Sequence, residues 1–185
     1  MKTKFLNEEI TYDGKQLTSH WIFKKTGWVE DGFVSFVGPC NVTLEHMVDL
    51  VDVKEEKPIY SQSMLHFIGE FFDTPLEIAI LRQRMLITLA QQELALRGHK
   101  IIRGGNDLFD QTDGAKLSVA IATCSPVSSL FHFGINILSE GTPVKTRGLK
   151  DYEIEVKSLA EALLASFADE LASVQVAKAK VRPVA

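Results

Sequence analysis

The 185-residue chain is poor in cysteine, having only Cys40 and Cys124. Two thiols do not make a disulfide scaffold, and free thiols point to a reducing compartment; the expected location is cytoplasmic. No apolar run approaches the ~20 residues of a membrane span, so a helical membrane protein is excluded. The start, Met1-Lys2-Thr3-Lys4-Phe5, soon meets Glu8 and Glu9 and has no signal-peptide character. Excess positive charge is missing as well. Lys and Arg number 20 against 24 Asp and Glu, a net charge of −4. That balance gives no general pull toward nucleic acid or an anionic membrane. The histidines at 20, 46, 66, 99 and 132 have no metal-ligand spacing, and no metal site is expected. Internal repeats are absent too.

What is plentiful is apolar residue, 45% of the chain. That suits a single domain over residues 1–185, burying roughly 70% of its unfolded surface. Residues 5–10 read as a short edge strand. Asp13-Gly14 reads as a hairpin turn into a strand over 17–23 that carries His20 and Trp21. Residues 33–37 form a buried strand that runs into Gly38-Pro39-Cys40-Asn41. Thr43 caps a short helix to Val53, and Ser61 or Ser63 caps another to about Phe72, with His66 and Glu70 on its surface. Thr74, Pro75 and Glu77 start a long helix that Gly98 ends. Residues 100–102 form a strand leading to Arg103-Gly104-Gly105. Gly141-Thr142-Pro143 turns the chain late on. A last helix runs from about Ile154 or Val156 to Val174, followed by a loose basic tail over 177–185. The expected class is α+β, a mixed and mostly antiparallel sheet covered by helices.

The most informative stretch is 103–137. Lys116 heads a strand to about Thr123, and a second strand runs from about Ser129 to Leu138. Phe131, Phe133, Ile135 and Ile137 share one face of the second strand; His132, Gly134 and Asn136 share the other. Joining the two greasy faces calls for an odd loop such as 125–127. Lys116 then lies near Asn136, Ser118 near Gly134, and Ala120 near His132. The second face is small and polar with one cation in it, as a ligand floor would be. The plainer alternative is a lysine at a solvent edge with its stem lying on the sheet.

Other candidates surround this one. Arg103-Gly104-Gly105 can present free backbone N–H groups to an anion or form an ordinary turn. Asn106 and Asp107 can meet a ligand or cap a turn. Cys40 can be a reactive thiol near a helix N-terminus, where its pKa would fall, or a small buried hydrophobe. His20 and Trp21 can line a pocket for a flat ligand or stabilise the core.

Asn106-Asp107-Leu108, Gly114-Ala115-Lys116-Leu117-Ser118 and Phe133-Gly134-Ile135-Asn136-Ile137 resemble the core of the biotin and lipoate protein ligases. Over nearly its full length the chain is similar to family 366 of the domains of unknown function, through Ser19-His20-Trp21, Cys40-Asn41-Val42 and Lys116-Leu117-Ser118 leading to Ala122-Thr123. The resemblance implies the biotin/lipoate ligase and class II synthetase-like fold. It also implies a catalytic lysine at Lys116, and it makes ATP with magnesium a possible cofactor pair. Three departures stand against a direct transfer of function. Gly38-Pro39-Cys40-Asn41 has no arginine where the ligases grip an acyl-adenylate. Val119 stands where they have glycine. Thr146-Arg147-Gly148-Leu149 lacks the cysteine of the related octanoyl transferases.

Three functions follow as expectations. The first is an acyl or biotin-type ligase or transferase. In it Lys116 meets developing negative charge, Asn106 and Asn136 position substrate, and Asp107 holds a metal or the acceptor. The second is a non-catalytic small-molecule-binding or oligomeric protein. The third is acyl transfer through a Cys40 thiol with Lys116 as base. A small-molecule ligand is the expected partner in each, with homo-oligomerisation open.

Overall fold

The computed structural model describes residues 1–142 and 144–184. Pro143, of the expected turn, and Ala185, of the expected tail, lie outside the described residues. A five-stranded sheet has the order β1 (Lys2–Glu9), β2 (Gly32–Val42), β3 (Ile59–Phe72), β7 (Ser128–Asn136), β6 (Ser118–Cys124). Only the β1–β2 pair is parallel within it; the rest is antiparallel. β4 (Ile101–Gly104) and β5 (Asp107–Asp110) make a separate two-stranded ladder. The long helices α3 (Leu76–Leu96) and α4 (Val156–Ala179) pack on one face of the sheet. Two short helices, α1 (Trp21–Thr26) and α2 (Leu50–Lys54), complete the α content of the described residues. Among the described residues no helix is long and apolar enough to cross a membrane.

The sheet separates two cores. Under α3 and α4 lie Phe33, Leu65, Phe67, Phe71, Phe131, Phe133 and Ile135, all fully buried with Phe167 of α4. On the opposite face, Leu6, Tyr12, Val34, Phe36, Met64 and Ile68 form a second cluster. β3 is covered on both sides, so its apolar residues fall on both faces, Leu65, Phe67 and Phe71 on one and Met64 and Ile68 on the other, instead of alternating with polar ones. That is why the expected helix over 61–72 is a strand. A short apolar run buried on both faces carries no period that tells the two apart.

Residues 17–23 were expected as a strand after a hairpin. They sit instead in the crossover that the parallel β1–β2 pairing demands, since two parallel neighbours cannot be joined by a tight turn. Trp21 opens α1, with His20 before it at φ 63 and Gly27 after it at φ 77. The expected helix over 43–53 is broken into a one-turn 3-10 helix, Leu44–His46, and α2. Asp49 makes the break by accepting from the N–H groups of Val51 and Asp52, at 2.8 and 3.3 Å. The last helix continues to Ala179, into what was expected to be tail.

The β6–β7 hairpin forms, in a register one residue away from the expected one. Ser118 faces Ile135, Ala120 faces Phe133, and Cys124 faces Ser129. The loop inside the Cys124–Ser129 pair is even in length, and Ser125 and Ser128 close it. Ser125 N–H donates to Ser128 O at 2.7 Å, and Ser128 N–H donates to Ser125 Oγ at 2.9 Å. One residue of slip moves every side chain to the other face. Ala120 and Ala122 therefore pack on the helix-side core, and Val119 and Ile121 lie opposite Gly134 and His132.

Candidate ligand pocket

A cavity of about 580 Å³ opens on the sheet face away from α3 and α4. Val42, Ile59, Met64, Val119 and Ile121 give it apolar walls, and Met47 and Val48, just before α2, close over it. Polar groups reach it from Asn106, Asp107, Lys116, His132 and Asn136. Apolar walls with a few convergent polar groups are the usual make-up of a small-molecule site.

Lys116 lies just ahead of β6 and is gripped from two sides. It bridges Phe109 on one flank and Thr146 on the other. Its N–H donates to Lys145 O at 3.0 Å, and its own carbonyl accepts from Arg147 N–H at 3.1 Å. This local ladder interrupts the strand alternation, so Lys116 reaches the cavity although β6 is flipped. Its ammonium meets Asp107 Oδ2 at 2.9 Å, and both side chains remain partly solvated. Asp52 shares the same field: burial pushes its pKa up, Asp49 adds to the rise, and Lys116 opposes it.

Asn106 turns the chain from β4 to β5 and is tied to β6, its Nδ2 donating to Ala120 O at 2.8 Å. Asn136 is buried opposite Met64, and its N–H donates to Leu117 O at 2.9 Å. Ser118 reaches the cavity lining, but its Oγ accepts from Leu108 N–H at 2.8 Å and serves to join β5 to β6.

Several expected residues lie elsewhere. Gly134 is a spacer: a Cβ there would come 2.9 Å from Met64 Cε and 3.1 Å from His132 Cε1. Arg103, Gly104 and Gly105 lie at the β4–β5 hairpin, off the cavity. The Gly104–Asp107 pairing there replaces the free anion cradle expected from consecutive glycines. His20 N–H donates to Glu70 Oε1 at 2.8 Å, and Trp21 packs on Phe36, which keeps both outside the pocket.

Cys40 does line the cavity, but the expected lowering of its pKa is corrected. The 3-10 helix after it has a single turn, and burial pushes the thiol up to about 12. It sits fully buried in β2 opposite Ser61, its backbone bridged to Tyr12.

Sequence reasoning missed Tyr12 and His66. His66 was placed on a helix surface; it is fully buried in β3 opposite Gly134. Its Nδ1 lies 3.0 Å from His132 Nε2, and its Nε2 lies 3.1 Å from Gly38 O. Tyr12 stacks on His132 with ring centroids 3.8 Å apart. A strand reading of 59–72 would have put His66 on the face of Met64 and Ile68, and so beside the pocket.

The donor set does not fit a nucleoside triphosphate. Gly38–Asn41 is drawn into the β2–β3 ladder as far as Val42–Ile59, and it offers no cation. Around the cavity Asp49, Asp52, Glu56 and Asp107 outnumber Lys57 and Lys116. Lys57 is paired with Glu55, and Lys116 with Asp107. Among the described residues no group of three or more His, Cys, Asp or Glu is arranged to hold a metal.

The family described as "Domain of unknown function (DUF366)" matches residues 1–182. The chain belongs to this family. The uncharacterized protein MJ0805 of Methanocaldococcus jannaschii is 35% identical over 182 residues, which cover 95% of this chain and 81% of that one. A protein of unknown function from Pyrococcus horikoshi superposes with a TM-score of 0.92 at 34% identity, over 100% of both chains. At 14% identity, the bi-partite lipoate protein ligase from Thermoplasma acidophilum gives a TM-score of 0.59, covering 92% of this chain and 84% of that one. The DUF366 chain thus has the fold of the biotin and lipoate protein ligases.

Proposed function

We propose that the protein binds a small amphipathic acid of the biotin, lipoate or fatty-acyl class and transfers its acyl group from an activated donor. The observation that carries this reading is the Lys116 ammonium, held 2.9 Å from Asp107 beside the apolar walls Val42, Ile59, Met64, Val119 and Ile121 of a cavity in a ligase fold. The apolar walls suit a hydrocarbon or ring system, and the ammonium suits the acyl end. Attack by an amine or thiol on the carbonyl carbon places negative charge on the carbonyl oxygen. A fixed ammonium stabilises that charge, and the leaving group then departs with the electron pair of the broken acyl bond. Asn106 and Asn136 are placed to orient the acyl group. The cytoplasm, where activated acyl donors are made, is the compartment this chemistry expects. Because the cavity's charges do not suit a triphosphate, a pre-activated donor is favoured over ATP and magnesium.

A second reading, a non-catalytic binder, draws on the same lack of a phosphate cradle. Acyl transfer through Cys40 is the least supported, because burial holds that thiol in its unreactive protonated form. A thermal-shift series with biotin, lipoate, octanoate and ATP, run on wild type and Lys116→Ala, tests the first reading. The acids should raise Tm in wild type and not in the variant, and ATP should do neither. Acids that stabilise both proteins equally would remove Lys116 from the site. Acyl transfer from a thioester donor that is lost in Lys116→Ala separates transferase from binder.

A further inference from the structure

The pair made by His66 and the cavity-lining His132 has a defined proton order. Gly38 O can only accept, so His66 Nε2 carries the hydrogen across the 3.1 Å contact. His66 is fully buried against Phe36, and burial moves its pKa down to about 4, so it is neutral with a bare Nδ1. A bare Nδ1 must receive its hydrogen from His132 Nε2, 3.0 Å away. Burial and the neighbouring ring keep His132 neutral too. Its remaining nitrogen, Nδ1, is therefore a lone pair. That atom has no protein partner among the described residues, and the sealed, unpartnered side-chain polar atom is Ser35 Oγ instead. Tyr12 is stacked on the ring at 3.8 Å and prevents it from turning. His132 thus presents a fixed hydrogen-bond acceptor to the cavity it lines.

The position of this acceptor along the sheet says what it is for. His132 pairs with Ile121, five residues along the chain from Lys116. At the rise of a strand that is a backbone path of up to roughly 16 Å, which sets His132 and Lys116 at different places along the cavity. We propose that His132 Nδ1 is a recognition subsite for a hydroxyl or N–H group on the ligand, at the end remote from Lys116. The ligand class is then an acid whose far end donates a hydrogen bond, and not a plain fatty acid. The acid part of this statement rests on the proposed function; the donor part rests on the histidine pair alone.

The test uses two isomer-matched or chain-matched pairs and the ¹⁵N spectrum of the histidines in the intact protein. The free protein should show His132 Nδ1 bare and Nε2 protonated; the opposite tautomer overturns the proposal. Hexan-1-ol should perturb His132 Nδ1, and methyl pentyl ether, of the same formula without a donor, should not. 8-Hydroxyoctanoate should bind from about twofold to about tenfold tighter than octanoate, the range one hydrogen bond supplies. His132→Phe keeps a flat ring against Tyr12 and removes the acceptor, so it should abolish the preference for 8-hydroxyoctanoate over octanoate and for hexan-1-ol over the ether. Both acids bound equally by wild type, with the alcohol and the ether alike, would overturn the subsite and leave the Lys116 reading standing. Neither acid bound, with the alcohol still selected over the ether, would sink the Lys116 reading and leave the subsite standing.

Discussion

The Lys116–Asp107 pair is only partly shielded from water. An ion pair in that setting contributes about 0–1 kcal/mol. The backbone around Lys116 is held independently, by Lys145 and Arg147. Lys116→Ala should therefore lower stability to urea by less than about 1 kcal/mol while removing acid binding. A larger loss of stability would show that the lysine is part of the scaffold. The two cysteines make a similar contrast. Cys40 is fully buried and Cys124 exposed. A disulfide reagent should titrate one thiol per native chain quickly and the second only after unfolding. Rapid reaction of both would return Cys40 to the list of nucleophiles. The sequence left Cys40 open between a reactive thiol and a small buried hydrophobe, because it follows a strand and precedes a capping threonine; the structure bears out the second. The deciding fact is that β2 continues past it to Val42.

Elements explain which parts of the site were legible. α3 and α4 were, since each has a regular apolar stripe and α3 follows the start signal at Thr74-Pro75. The β7 faces were, since Phe131, Phe133 and Ile135 alternate with His132, Gly134 and Asn136 over a full strand. From β7 came His132 and Asn136, and from the head of the preceding strand and the ligase resemblance came Lys116; the structure brings all three to one cavity. β3 was not legible, and with it went His66. The β6 register was not either, because nothing local in Ser125-Pro126-Val127-Ser128 distinguishes a three-residue loop from a four-residue one. β2 depends on one close approach that the sequence hints at only through Gly38-Pro39. A Cβ at Gly38 would lie 2.0 Å from Ile10 O, a backbone atom that cannot turn away. The β2–β3 register shifts at the same place, between Gly38 and Cys40. Gly38→Ala should cost about 3 kcal/mol or more in guanidinium unfolding, in the range of severe overpacking. A cost under about 1 kcal/mol would mean that the β1–β2 connection can move off the strand.

At the scale of the molecule, the buried histidines tie stability to pH. His66 falls from 6.5 to about 4 in the fold, and His132 falls as well, both chiefly through burial. Between those limits the unfolded chain binds protons that the folded chain refuses. Stability is then complete above about pH 6.5 and decreases as the pH falls toward 4, the sign for a group whose folded pKa is depressed. His66 alone should remove roughly 2 kcal/mol between pH 7 and pH 5. Asp113, held down to about 2 by hydrogen bonds from Ala115 and Lys145, enters only at lower pH. Asp52 works the other way, since its pKa is raised and its protonation is easier in the fold. Urea unfolding at pH 7 and at pH 5 measures the difference. Replacing both histidines together, His66→Gln with His132→Gln, should flatten the slope in this window without requiring any change in the long helices. A slope that survives in the double variant would show that the buried histidine pair is not its source. A wild-type protein equally stable at both pH values would show that water reaches the pair and that the floor of the pocket is wet.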